Sequence, residues 1–266
     1  MTRRKITEAE GTRKREQLVR DGYCHIEGVL STEFLGELSR ESDRLLDSAE
    51  YQPEWRYQGS DIHVDTRENA VMRRLLDWPA TGAWMRAMRL DDFTPNGTIH
   101  VLSKPPGGPP LYWHQDWDTW NDPLSLAPWP QQLFLSYYLV DTDRVNGCFR
   151  VIPGTHLKRV PLHGQVEAPH QQTAWFADEG DPHMFGDHPG AIDVPVRAGD
   201  LVIGEARLLH SARGNNSARR RTLLLAWHMR PATVPDYWTD EVPGPILARA
   251  ADAEYDNTRI PGAFLE

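Results

Sequence analysis

Residues 111 to 120 read LYWHQDWDTW, and within them His114 and Asp116 stand two positions apart. On a strand that spacing turns both side chains to one face, because successive residues alternate sides. An imidazole and a carboxylate that converge in this way are two corners of a metal site. The spacing alone is cheap. With 11 histidines in 266 residues such pairs arise by chance, and His63-Val64-Asp65 is a second example. It lies in a polar stretch and reads as polar groups at the surface. The first pair gains weight from LLHSARGNNSARRRTLLLAW, which supplies His210 and, eleven residues on, Arg221. Two histidines and one carboxylate on one face of an ion form a facial triad that leaves coordination positions open for Fe(II) chemistry. An arginine facing the same cavity clasps a carboxylate through two parallel hydrogen bonds, which a lysine cannot do. Iron ligands with a carboxylate clamp describe a site for a 2-oxo acid.

These residues need strands to hold them. The chain before Pro95 reads as mostly helical: a polar helix over Thr7 to Arg20 ending at Gly22, a short strand in YCHIEGVL, and a helix capped by Ser31 that aligns Phe34, Leu35, Leu38, Leu45 and Leu46. Two further helices fall around Val71 to Leu76 and Ala83 to Met88. After Pro95-Asn96-Gly97 the pattern changes to short apolar runs, TIHVLS, QLFLSYYLV, CFRVI, DLVIGEA and TLLLAWHM, separated by Pro, Gly, Asp and Asn. Many short strands with turn punctuation predict a sandwich or barrel. His210 is expected at the end of the strand that follows RAGD, with a hairpin returning Arg221 to the same cavity. Without repeats or linkers, one domain over 1–266 is expected: a helical layer to about 95, a β core to about 232, then a C-terminal tail over about 233–266.

Composition removes several alternatives. The net charge of −9 disfavours a phosphate-backbone partner, so nucleic acid is not expected. No apolar run is long enough to span a membrane, and MTRRKITEAEG lacks the apolar segment of a signal peptide. A soluble, cytoplasmic protein is expected, either monomer or homodimer. Cys24 and Cys148 have neither zinc-site spacing nor disulfide density and read as reduced thiols.

Together YWHQDWDTW, DRVNGCFRVIPGTH and RAGDLVIGEARLLHSARGNNSARRRTLLLAWH resemble the phytanoyl-CoA dioxygenase family of Fe(II)- and 2-oxoglutarate-dependent oxygenases. The resemblance runs from about RDGYCHIEGVLS to TLLLAWHMRP, and the first motif is most similar to bacterial ectoine-hydroxylase-like members. After DTW the chain reads NDPLSLAPWPQQ and departs from them, so no substrate carries over. The resemblance implies a mainly β fold with α, a double-stranded β-helix (jelly-roll, cupin-like) core with N-terminal helices packed on one sheet. It implies iron on His114, Asp116 and His210, and Arg221 on the distal carboxylate of 2-oxoglutarate. Arg219 and Arg220 are rivals, and the family's eleven-residue spacing selects Arg221. It further implies O2 as cosubstrate, succinate and CO2 as products, and hydroxylation of a small molecule, with desaturation or ring formation as the alternative. Related halogenases carry a small residue where Asp116 stands; a carboxylate leaves no room for chloride.

Other residues carry two readings each. Trp120 is either a cosubstrate-side aromatic or core packing. Thr98, His100 and Leu102 alternate along the strand where family members place cosubstrate contacts, although a lone strand histidine also serves structure. Arg150, within an apolar strand, either pairs with an internal carboxylate or faces a polar substrate. Tyr112, Trp117 and Trp227 are expected with Arg150 around the substrate, in a pocket suited to an amino acid or secondary metabolite. The long polar segment over 157–195 reads as a lid or surface loop. Outside the family, a cupin-like isomerase or hydrolase shares the strand pattern but has no need of Arg221, and a non-catalytic binding domain that has lost iron is opposed by the complete ligand set.

Overall fold

The computed structural model describes residues 6–50, 52–118, 123–167, 172–230 and 234–238. Helix α1 (Glu8–Asp21) begins where Thr7 and Glu10 close a capping box and ends at Gly22, whose φ of 82° suits glycine. Strand β1 (Tyr23–Ile26) leads to α2 (Thr32–Ser48), capped by Ser31. Then follow β2 (Ser60–Asp65), α3 (Ala70–Leu76), α4 (Pro79–Ala87), β3 (Thr94–Lys104), β4 (Leu111–His114), β5 (Gln132–Tyr138) and β6 (Phe149–Val151). After two short helices, α5 (Gln172–Trp175) and α6 (Pro182–Phe185), come β7 (Ile192–Val194), β8 (Leu201–Glu205), β9 (His210–Ala212) and β10 (Arg221–Met229).

All strand pairs are antiparallel, in a six-stranded sheet ordered β1-β8-β5-β10-β3-β2 and a four-stranded sheet ordered β4-β9-β6-β7. Alternation gives the large sheet two apolar faces. Ile99, Val101, Leu133, Leu135, Ile203 and Leu224 turn outward onto Leu18, Phe34, Leu38, Met72 and Met85 of the helices. Leu102, Phe134, Tyr138 and Leu223 turn inward and meet Phe149 and Val151 of the small sheet. This is the expected double-stranded β-helix with its N-terminal helices on one sheet. Cys24 and Cys148 are both free and buried.

Three features differ from the expectations. The polar run SDIHVD is the edge strand β2, paired to β3 with His63 opposite His100. Its polar residues survive because an edge strand beside a cavity keeps part of its surface in water. Residues 201–205 and 210–212 are two strands in different sheets, not one strand with a hairpin beyond it. The chain bends where Arg207, 1% exposed, donates to Glu205 at 2.9 Å and to the carbonyls of Ser125, Ala127 and Trp129. His210 and Arg221 therefore approach from opposing sheets. The segment over 157–195 is not a plain loop: Leu162, Val166, Ala174 and Met184 pack on the outside of the small sheet, and Ile192–Val194 form its edge strand β7.

Candidate metal centre

His114 ends β4 and His210 opens β9, and the two are register partners. Their rings lie 4.2 Å apart between centroids. Asp116 follows as β4 gives way to loop, its backbone N–H donating to the carbonyl of Ala206 at 2.8 Å. Its Oδ1 stands 3.5 Å from His114 Nε2 and its Oδ2 3.3 Å from His210 Nε2. Ligands about 2.1 Å from one ion stand roughly 3.0 Å apart at a right angle and about 3.4 Å apart at the tetrahedral angle. Both carboxylate–imidazole separations are close to those of groups that share an ion, and the three donor atoms all lie within 4.8 Å of one another.

The imidazoles are also set up as ligands. His114 donates from Nδ1 to the carbonyl of Tyr112, and His210 from Nδ1 to the carbonyl of Leu208, each at 2.9 Å. A carbonyl can only accept, so both rings carry hydrogen on Nδ1 and present the Nε2 lone pair to the centre. The donor set, with two neutral nitrogens and one carboxylate oxygen, fits Fe(II).

These residues line a cavity of about 280 Å³ together with Arg221, Leu102, Leu111, Phe134, Tyr138, Phe149, Leu223, Leu225 and Trp227. Arg221 is 3% exposed, and its Nε finds no hydrogen-bond partner among the described residues. Burial lowers the pKa of its guanidinium. A desolvated donor of this kind needs an acceptor, and a ligand carboxylate supplies one. Arg220 pairs with exposed Asp47, and Arg219 is exposed. Lys104, the register partner of Arg221, is fully buried and donates to the carbonyls of Tyr57 and Pro109. Burial, then the nearby Arg221, holds its pKa well below the usual lysine range.

Comparison with known proteins agrees with this geometry. The chain matches the family described as Phytanoyl-CoA dioxygenase (PhyH) over residues 18–223. The chain belongs to the phytanoyl-CoA dioxygenase family. It is an iron- and 2-oxoglutarate-dependent dioxygenase, with Fe(II), 2-oxoglutarate and O2 as its cofactor and cosubstrates. An ectoine dioxygenase of Nocardia farcinica is 24% identical over 250 residues, 88% of this chain and 83% of that protein. The non-heme alpha ketoglutarate dependent epimerase SnoN from nogalamycin biosynthesis is 25% identical, with a TM-score of 0.62 over 96% of this chain and 97% of that one. EctD from S. alaskensis, solved with bound Fe, shares the fold at 20% identity, with a TM-score of 0.59 over 86% of this chain and 79% of that one.

Within this phytanoyl-CoA dioxygenase framework the other expected residues divide. Leu102 and Trp227 line the cavity, Trp227 edge-on to Phe134 at 6.1 Å. Tyr112 does not line it, and the reason is a bulge. Strand β4 spends Leu111 to His114 where β9 spends Ala212 to His210, so Leu111 takes the inward place and Tyr112 packs outside, edge-on to Tyr57. Trp117 also lies off the cavity wall, packed on Ala206 where the chain turns after Asp116. Of the two readings of Arg150, facing a substrate or pairing with a carboxylate, the structure takes the second: the side chain points to the opposite side of β6. There it pairs with Asp187 and with Asp193 and lies over the Trp113 ring, its centre 4.8 Å from the centroid. Thr98 faces Asp65 beyond the end of the cavity. His100 lines the cavity but stands four residues along β3 from Lys104, about 13 Å from the Arg221 row at the strand rise. Its Nδ1 meets Asp61 Oδ1 at 3.0 Å. Trp120 lies outside the described residues.

Trp55, Gln58 and Asp61 also line the cavity, outside every motif named above. Asp61 carried a usable signal: it stands two residues before His63, the same alternation that joins His114 to Asp116. No helix among the described residues is long and apolar enough to cross a membrane.

Proposed function

We propose that the protein hydroxylates an unactivated C–H bond of a small molecule, an amino acid or secondary metabolite, with O2 consumed and succinate and CO2 released from 2-oxoglutarate. The observation that carries this reading is the convergence of His114, Asp116, His210 and Arg221, whose Nε has no partner among the described residues, on one largely apolar cavity.

In this reading His114, Asp116 and His210 hold Fe(II) by one face, and Arg221 clasps the distal carboxylate of 2-oxoglutarate. Bound iron and 2-oxoglutarate supply the oxidising chemistry. The chain's residues hold and shield it. The Nδ1 hydrogen bonds lock both imidazoles in the ligating tautomer, and the bond from Asp116 N–H to Ala206 fixes the carboxylate. Phe134, Phe149, Leu223, Leu225 and Trp227 exclude water and press an apolar body toward the ligands. Asp116 occupies the place that a halide would need, which supports hydroxylation over halogenation.

A second reading, epimerisation or ring formation, draws on the similarity to SnoN, which spans 96% of this chain. One experiment separates them. A panel of amino acids, cyclic metabolites and acyl thioesters is scored for stimulated succinate release, and the product of any hit is weighed. Gain of one oxygen supports hydroxylation, unchanged mass epimerisation, and loss of two hydrogens desaturation or ring closure. Turnover of a substrate without succinate sinks all three.

A further inference from the structure

We propose that Asp61, His63 and His100 form a second divalent-cation site, for a transition metal such as Zn(II), Co(II) or Ni(II), on the wall of the same cavity. The proposal stands whatever reaction the cavity performs.

Strands β2 and β3 build the site. Asp61 and His63, two apart on β2, share a face, and His100 is the register partner of His63 on β3. Asp61 Oδ2 stands 3.3 Å from His63 Nε2, and its Oδ1 3.0 Å from His100 Nδ1. The two rings lie 4.2 Å apart between centroids. The arrangement is that of His114, Asp116 and His210, where the carboxylate also gives one oxygen to each imidazole, at 3.5 and 3.3 Å, and the centroid spacing is again 4.2 Å. Both separations at Asp61 fall in the range that adjacent ligands about 2.1 Å from one ion adopt.

Nitrogen and carboxylate donors in this ratio suit first-row ions from Co(II) to Zn(II). Access also fits. The Asp61 and His100 side chains are 11% and 16% exposed, whereas His63 is 56% exposed and opens the cluster to solvent. All three residues line the cavity wall, so positions on the ion not filled by the chain face the space where a bound molecule sits. The three donors, two on the edge strand β2 and one on its neighbour β3, are not needed to join the strands, since the backbone ladder already pairs them.

The test is metal stoichiometry on tag-free, metal-stripped protein, titrated with Zn(II) or Co(II) against a chromophoric chelator. The wild type should take two equivalents, and His63→Gln, at an exposed position that folding tolerates, should take one. His210→Ala should likewise take one, and His63→Gln/His210→Ala none. His100→Ala should match His63→Gln, with a thermal melt confirming that it is folded. A wild type that takes a single equivalent, or a second equivalent that survives His63→Gln and His100→Ala, overturns the proposal.

Discussion

The backbone N–H of Asp116 donates to the carbonyl of Ala206 at 2.8 Å. Ala206 sits between Glu205 and Arg207, whose side chains form an ion pair that is 0% and 1% exposed. The bend that moves the chain from one sheet to the other therefore also anchors the only carboxylate of the His114, Asp116 and His210 cluster. Removing one member of a buried pair strands the other charge and costs about 3–5 kcal/mol. Arg207→Ala should lower stability by that order and weaken Fe(II) binding as well. An unchanged melting temperature with unchanged iron affinity would show that the bend does not position Asp116.

Arg221→Lys keeps a positive charge but loses the planar fork. Losing one charge-assisted hydrogen bond costs roughly 1.5–3 kcal/mol, on the order of ten- to a hundredfold in affinity. The KM for 2-oxoglutarate should rise by that factor while Fe(II) affinity holds. A KM equal to that of the wild type would remove Arg221 from the clamp.

Arg150→Met tests the reassignment of Arg150 to the outside of β6. It leaves Asp193 with one cation fewer in a half-buried network, a loss of about 1–3 kcal/mol. Thermal stability should fall while 2-oxoglutarate-dependent succinate formation by the folded fraction is retained. Intact stability with lost turnover would return Arg150 to the active site.

Acid should destabilise the fold before it reaches the carboxylates. Burial pulls the pKa of His156 down to about 3 and that of His228 down to about 4. Both are neutral when folded but take a proton near pH 6.5 when unfolded. Their folded pKa values lie below the unfolded one, so stability present above about pH 6.5 is lost as pH falls toward 4, by roughly 1.4 kcal/mol per unit for each. Melting curves from pH 7 to 4.5 should show this slope, and His156→Gln should flatten it. A flat profile in the wild type would mean that the two rings are protonated in the fold.

Much of this architecture is legible in the sequence because its signals are local. Capping at Thr7 and Ser31, the stop at Gly22, and the apolar runs of β3, β5, β8 and β10 need only neighbouring residues to be read. The spacing of His114, Asp116, His210 and Arg221 survives for a similar reason: each sits at the end of a strand or just past it. What was not legible depends on partners far along the chain. The bulge that turns Tyr112 outward exists only against β9, and the bend at Ala206 rests on carbonyls some 80 residues earlier. Strand β2 reads as surface in the sequence because its polar residues acquire meaning only when register brings His100 alongside. The side of β6 on which Arg150 emerges was likewise open until Asp187 and Asp193 were in place.

The central claim, that His114, Asp116 and His210 hold iron with 2-oxoglutarate beside Arg221, is tested most directly by anaerobic absorption spectroscopy. Fe(II) and 2-oxoglutarate added to the wild-type protein should give a visible metal-to-ligand charge-transfer band, and His210→Ala should abolish it in folded protein. No band in the wild type, or the same band in His210→Ala, would contradict the account.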